Sequence, residues 1–463
     1  MTCDTFCPLP WNSLNLRNNG DLRLCCNANS YTKNKGIMRK EDGTPYNAGK
    51  DDWQEARNAP LLKEVRKSMM NGEWHSECER CRQEEINGIR SRREYESEDW
   101  GSSFGEINLE KAKEYTEADG TMDTSKQNIE FMDIRYGNFC NLKCRMCGPT
   151  DSHQWYDDHV KLSGGTGFHD VKVRVQLEKN KKGRWVTDHY DWFQNNNRYW
   201  DNFEKYAVNA KKLYIVGGEP LIIPEHQESL ERLVASGNAG NIQLEYNTNL
   251  TMLPDRLVYL WEQFKQIRIG VSIDGIDDVF NYQRTPGKFD AVYKHMLTLQ
   301  NNERINLKAW FAYTVTTINV FHTADFMKWK LTESGLDKFN HISAPRPIIT
   351  HHMCHSPKHY NVKVLPQYLK DQVAAYYKEH KDWIVTTDFS DKVKNNFVKV
   401  LDGIEKFMMS EDYSVMTDWD DKTHLEHFIY TTHKLDELRD QNILDVVPQY
   451  KDLMDMEFDA HNK

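Results

Sequence analysis

Three cysteines fall within eight residues of the segment FCNLKCRMCGP, at Cys140, Cys144 and Cys147, separated by three residues and then by two. In a reducing compartment, clustered thiols bind metal more often than they form disulfides. A zinc site usually takes four protein ligands, often as two separated CxxC pairs. A 4Fe-4S cluster is also held by cysteine thiolates, normally four of them. With three thiolates one iron keeps an open position, where a substrate or cofactor can bind directly. A second set lies near the N-terminus: Cys7, twelve residues, Gly20, four residues, Cys25, and after a long gap Cys78-Glu79-Arg80-Cys81. Cys3 and Cys26 are left over, and either could replace one of the four. The tenth, Cys354, sits in THHMCHSPKHY with His351, His352, His355 and His359. That stretch reads as a metal site or acid–base cluster, or as a polar loop with spare histidines; the second is favoured because no ligand spacing is diagnostic.

Nine of the ten cysteines lie in the first third of the 463 residues, a distribution that scattered core thiols would not give. Three regions follow. Residues 1–100 read as loop-rich and hold six cysteines, residues 128–348 alternate apolar strand with amphipathic helix, and residues 349–463 read as mostly helical and acidic. The expected strands are NIEFMDIRY (128–136), KLYIVGG (212–218), IQLEYNT (242–248), IRIGVSID (267–274), LKAWFAYTV (307–315) and FNHISAP (339–345). Helices are expected at 225–237, 254–264, 289–302 and 321–335. Strand alternating with helix argues for βαβ units and a parallel sheet, either an incomplete barrel or an open doubly wound sheet. In both, ligands bind at the carboxyl ends of the strands. The first unit carries an insertion, 151–210, in which VKVRVQLE and GRWVTDHY around KNKKG predict a β-hairpin; it is either functional or a surface excursion.

Further motifs stand at those strand ends. The second strand ends in YIVGGEP, where Gly217 and Gly218 allow close backbone approach and Glu219 suits an ammonium. The third ends in YNTN, with Asn247 and Asn249. The fourth reads GVSIDG, with Ser272 and, twelve residues on, Arg284, whose guanidinium suits a carboxylate. The CxxxCxxC spacing followed in order by these motifs resembles the radical S-adenosylmethionine (SAM) enzymes over about 220 residues. The resemblance implies an α/β fold: a partial (β/α)6 barrel resembling a TIM barrel. It also implies a 4Fe-4S cluster on Cys140, Cys144 and Cys147, with SAM chelating the fourth iron and cleaved reductively to a 5′-deoxyadenosyl radical. Gly217, Gly218 and Glu219 would meet the SAM amino group, Ser272 and Arg284 its carboxylate, and Asn247 or Asn249 its ribose. The family often has an aromatic residue before the third cysteine, near the adenine; here it is Met146.

The text CPLPWNSLNLRNNGDLRLCC resembles the auxiliary-cluster domains called SPASM and twitch, in which a hairpin turned by a glycine is flanked by cysteines. The resemblance implies one auxiliary 4Fe-4S cluster on Cys7, Cys25, Cys78 and Cys81, hence the shorter twitch type, placed before the barrel rather than after it. A zinc site on the same four cysteines remains the alternative. Enzymes of this kind frequently modify peptides or proteins and need an electron donor such as flavodoxin or ferredoxin. A small-molecule substrate, or a non-catalytic iron–sulfur or zinc protein that binds a partner, are the other readings.

Composition narrows the rest. Charged residues make up 28%, and no run approaches the roughly 20 apolar residues of a membrane helix. The start MTCDTFCPLPWNS has no basic stretch followed by an apolar core, so a cytoplasmic location is expected. A net charge of −10 argues against a dedicated nucleic-acid binder, and IRSRRE (89–94) reads as a solvated helix face.

Overall fold

A computed structural model of the chain describes residues 5–29, 32–86, 90–104, 107–339, 348–411 and 419–456. Cys3, Ile89 of the basic stretch and residues 340–345 of the sixth expected strand lie outside the described residues. In chain order the strands are β1 (Ser13–Leu16), β2 (Leu22–Arg23), β3 (Phe131–Arg135), β4 (Gly167–Asp170), β5 (Val173–Gln176), β6 (Glu178–Lys179), β7 (Trp185–Val186), β8 (Lys212–Val216), β9 (Gln243–Thr248), β10 (Gln266–Ser272), β11 (Leu307–Val315) and β12 (Thr350–Met353). They alternate with helices and pair mostly in parallel, an α/β fold.

The chain divides into two compact units. The first comprises Met1–Phe139, Asp188–Tyr246 and Asp255–Ile267. Its strands run in the order β9-β8-β3-β1-β2. β3 lies parallel to β8 with Asp133 opposite Tyr214, and β8 lies parallel to β9. Every residue of β8 is buried, as a strand covered on both faces requires. The hairpin expected at Asn19-Gly20 is present: β1 and β2 pair antiparallel, and Gly20 holds φ at +81°. β1 also lies parallel to β3, Ser13 opposite Phe131, so the N-terminal hairpin extends the sheet. Four residues, SLNL, carry too little periodicity to announce that pairing. The first hundred residues hold more helix than their reading suggests. Pro60–Met70 starts on a proline, and Arg92–Glu98 is closed by a capping box between Ser91 and Glu94. Buried Arg57 and Arg66 tie these pieces down, Arg57 donating to the carbonyls of Trp11 and Gln127, Arg66 to those of Pro10 and Gly120.

The second unit comprises Cys140–Thr187, Asn247–Pro254 and Arg268–Lys463. β11 stands between β10 and β12, parallel to β12. β12, THHM, has no apolar alternation and was not expected. Phe339, the one described residue of the sixth expected strand, forms an isolated parallel bridge to Ala309. The KNKKG segment turns β6 into β7 as expected, but VKVRVQLE is divided: β5 pairs back onto β4, and only its last residue, Glu178, enters the second hairpin, together with Lys179 of KNKKG. Three nineteen-residue helices, Gln367–Val385, Asp391–Met409 and Asp421–Arg439, make up much of the C-terminal region.

Candidate functional site

The loop after β3 gathers the three central cysteines. Cys140 and Cys144 are buried with Leu142, and Met146 and Cys147 pack against them. The loop is pinned from three directions. The Trp155 indole donates to the Cys144 carbonyl at 2.8 Å, and the Ser152 hydroxyl to the Leu142 carbonyl at 2.5 Å. The Lys143 and Arg145 amides donate to the carbonyls of Thr285 and Gln283, at 2.7 and 2.8 Å, so the loop runs along the segment carrying Arg284. Arg284 pairs with Asp274 at 2.6 Å and directs Nη1 at the Cys144 Sγ, 3.8 Å away. Asp274 is fully buried, and its Oδ1 accepts from the Thr314 amide at 2.8 Å. Asn249 directs its amide at the Cys140 Sγ, 3.9 Å away, and donates to Asn141 at 3.0 Å. The Leu142 amide lies 3.4 Å from the same sulfur.

These contacts set the charge state. A hydrogen bond from Cys147, with the nearby Arg284 guanidinium, holds the Cys144 thiol below the usual thiol range. Cys147, on the other side of that bond, is pushed up. Burial raises the Asp274 carboxyl in spite of Arg284. Ser272 closes β10, half-buried. Asn247 lies against Gly270, where a Cβ would run into its Oδ1.

The glycine–glutamate turn expected after the second strand belongs to the first unit. Gly217 and Gly218 both have positive φ, +89° and +55°. A Cβ on Gly218 would collide with the backbone of Phe139, and the Glu219 amide donates to the Phe139 carbonyl at 2.8 Å. Glu219 is buried, and its Oε1 accepts from the Leu221 amide at 3.1 Å, capping the turn Pro220–Ile222. The carboxylate therefore also serves the fold.

The N-terminal cysteines form a second group in that unit. Burial raises Cys7, Cys25, Cys78 and Cys81, and neighbouring thiols add to it: Cys7 feels Cys81 and Cys78, Cys25 feels Cys26 first and then Cys81 and Cys7, and Cys78 feels Cys25 and Cys81. The described cysteines are free of disulfides. Crowded buried thiols of this kind ionise only with a cation among them, which is what a metal cluster provides. Among the described residues no three His, Cys, Asp or Glu side chains converge as ligands of one ion do. A 4Fe-4S cube, with several irons to share four thiolates, does not ask for that convergence, and both donor sets fit it in chemistry.

Cys354 is buried, its Sγ directed at the Ser356 carbonyl, and burial pushes its thiol up to about 12. Burial also holds His351 down to about 4 and His359 to about 3.

Two contacts beside the cysteine loop had no signal in the spacing. Asp274 reads locally as a turn residue but is the partner of Arg284. Arg145, inside the cysteine motif, is fully buried, stacks on Tyr282 at 3.7 Å and pairs with Asp436 on the last long helix. Only a fold brings together residues 291 positions apart.

Residues 134–323 match the model of the Radical SAM superfamily. A comparison with curated protein sequences finds no match. Among solved structures the chain is similar to native anSMEcpe with bound AdoMet, at 17% identity and a TM-score of 0.33, covering 55% of this chain and 61% of that one. It is also similar to Streptococcus suis SuiB bound to S-adenosylmethionine, at 14% identity and a TM-score of 0.32, covering 68% and 63%. SuiB alone gives 11% identity and a TM-score of 0.32, covering 89% and 75%. The chain thus spans about three fifths of the anSMEcpe chain it matches.

Proposed function

We propose that the chain is a radical SAM enzyme built on a six-stranded partial barrel, and that it modifies a peptide or protein side chain. The observation that carries this reading is the pairing of the cysteine loop with the segment holding Arg284, which sets a guanidinium beside Cys144. The match of residues 134–323 to the Radical SAM superfamily supports it. Cys140, Cys144 and Cys147 would hold a 4Fe-4S cluster. Bound with SAM, that cluster supplies the 5′-deoxyadenosyl radical that abstracts hydrogen from an unactivated carbon. Glu219 would take the SAM ammonium, Ser272 and Arg284 its carboxylate, Asn247 the ribose and Met146 the adenine. Cys7, Cys25, Cys78 and Cys81 would hold a second, twitch-like cluster with all four positions closed. A low-potential donor such as flavodoxin or ferredoxin would supply the electron.

Anaerobic reconstitution tests the reading. Roughly eight irons per chain are expected, falling to about four in Cys140→Ala, with reductive SAM cleavage by the intact chain and none by the variant. Zinc alone, without SAM cleavage, overturns the reading in favour of a partner-binding protein. Deoxyadenosine formation that responds to small molecules and to no peptide would move the substrate to the small-molecule class.

A further inference from the structure

The insertion after the cysteine loop forms a finger of two short hairpins, β4–β5 and β6–β7, with one residue, Leu177, between them. In a chain of net charge −10, residues 167–187 hold six cations, Lys172, Arg174, Lys179, Lys181, Lys182 and Arg184, against two carboxylates, Asp170 and Glu178. Asp170 is buried, whereas all six cations are exposed. Among the described residues Arg174, Lys179, Lys181, Lys182 and Arg184 have no ion-pair partner. A run of like charge usually reads as a solvated face. Here it is interleaved with exposed apolar side chains, Val173 at 48% and Val186 at 38%.

The finger has a firm root. Phe168 of β4 is buried opposite buried Val175 of β5. Its ring stacks on Tyr156, centres 6.1 Å apart, and meets His159 edge-on at 5.7 Å. Both partners lie on the helix Trp155–Ser163, whose first residue donates to the Cys144 carbonyl. One helix therefore carries the finger and pins the cysteine loop. Among the described residues β5 pairs with β4 alone, so its other edge has no strand beside it. Such an edge offers N–H and C=O groups to an extended segment. Along β5 the side chains alternate, Val173 and Val175 on one face, Arg174 and Gln176 on the other. A cation on an edge strand can simply guard it against pairing. Lys181, Lys182 and Arg184 stand in the β6–β7 turn, where there is no strand edge to guard.

We propose that this finger docks the peptide substrate by adding to β5 an extended segment in which acidic and apolar residues alternate. The proposal rests on the peptide-modifying reading above and gives its substrate a recognition segment. Acidic side chains of the added strand meet Arg174, and apolar ones on its other face meet Val173. The cations of the turn draw the segment in from a distance. Held on the helix that pins the cysteine loop, the remainder of the peptide gains a raised effective concentration there. A nucleic acid suits the finger less. Single strands stack on aromatic faces, yet Phe168 is buried and Lys179 covers Trp185 at 5.0 Å.

The test is fluorescence anisotropy on the anaerobically reconstituted full chain. The probe is a labelled hexapeptide of alternating glutamate and valine. One control carries glutamine for glutamate, a second is the probe with every amide N-methylated, and a third is an oligouridylate. The probe is expected to bind, and both peptide controls at least about 10-fold more weakly. Arg174→Glu should weaken the probe roughly 10- to 100-fold. The triple variant Lys181→Gln, Lys182→Gln, Arg184→Gln should slow its association and flatten its salt dependence. All four side chains are exposed, so the thermal midpoint verifies that the fold survives. Absence of probe binding, equal binding of either peptide control, or undiminished binding by Arg174→Glu overturns the proposal. Oligouridylate binding more tightly than the probe overturns it in favour of a nucleic acid. SAM cleavage by the unsubstituted chain is scored separately. Probe binding without cleavage supports the docking edge and overturns the radical reading; cleavage without probe binding does the reverse.

Discussion

Arg284 faces two sulfur- and oxygen-bearing partners at once, Cys144 and Asp274, and the second makes it costly to remove. Asp274 is fully buried, so Arg284→Gln strands a carboxylate away from water. A loss of about 3–5 kcal/mol is expected, read as a lower urea midpoint. Adding Asp274→Asn should recover most of that stability without recovering SAM binding, which separates the residue's structural part from its ligand part. At this scale the sequence was readable where chemistry is local. Three cysteines spaced by three and two residues do fall into one packed loop, and the two glycines before Glu219 both take the positive φ that glycine allows. Asp274 and Arg145 were not readable, because each acquires its role from a partner that only tertiary structure supplies.

The element that does most with fewest residues is the turn after β8. Gly218→Ala would set a methyl against the Phe139 backbone in a left-handed conformation. Its cost should exceed the ~1–2 kcal/mol of that conformation alone. Gly217→Ala meets Arg135 Cβ and Asn18 Oδ1, each at 3.0 Å, and the Gly137 carbonyl at 3.2 Å, none as close as the Phe139 backbone at Gly218, and should cost less. Thermal melts rank the two, and SAM affinity should fall in the same order. Long apolar strands were legible: LKAWFAYTV is β11 residue for residue, since its buried positions alternate over nine residues. The short strands β1 and β12 were not. They pair because a longer parallel neighbour, β3 or β11, offers an edge, and that lies outside their own sequences.

Across the whole molecule, buried histidines set a limit on acid stability. Burial holds His226, His322 and His351 at about 4 and His359 at about 3, whereas unfolded imidazoles titrate near ~6.5. The unfolded chain therefore binds more protons between those values. The stabilising contribution of these neutral rings is complete above ~6.5 and is lost as pH falls towards 4, at up to ~1.4 kcal/mol per pH unit for each ring. Urea midpoints measured from pH 7 to pH 4.5 should drop steadily. His226→Gln should flatten the slope, because it removes one of these rings, bonded to the Pro220 carbonyl and the Tyr246 hydroxyl. The backbone bonds from Lys143 and Arg145 to Thr285 and Gln283 have a consequence of another kind. In deuterated buffer those two amides keep their protons only while the 283–285 segment stays seated. Their exchange would time the release of Arg284 from the cysteine loop, a clock that needs neither iron nor substrate to run.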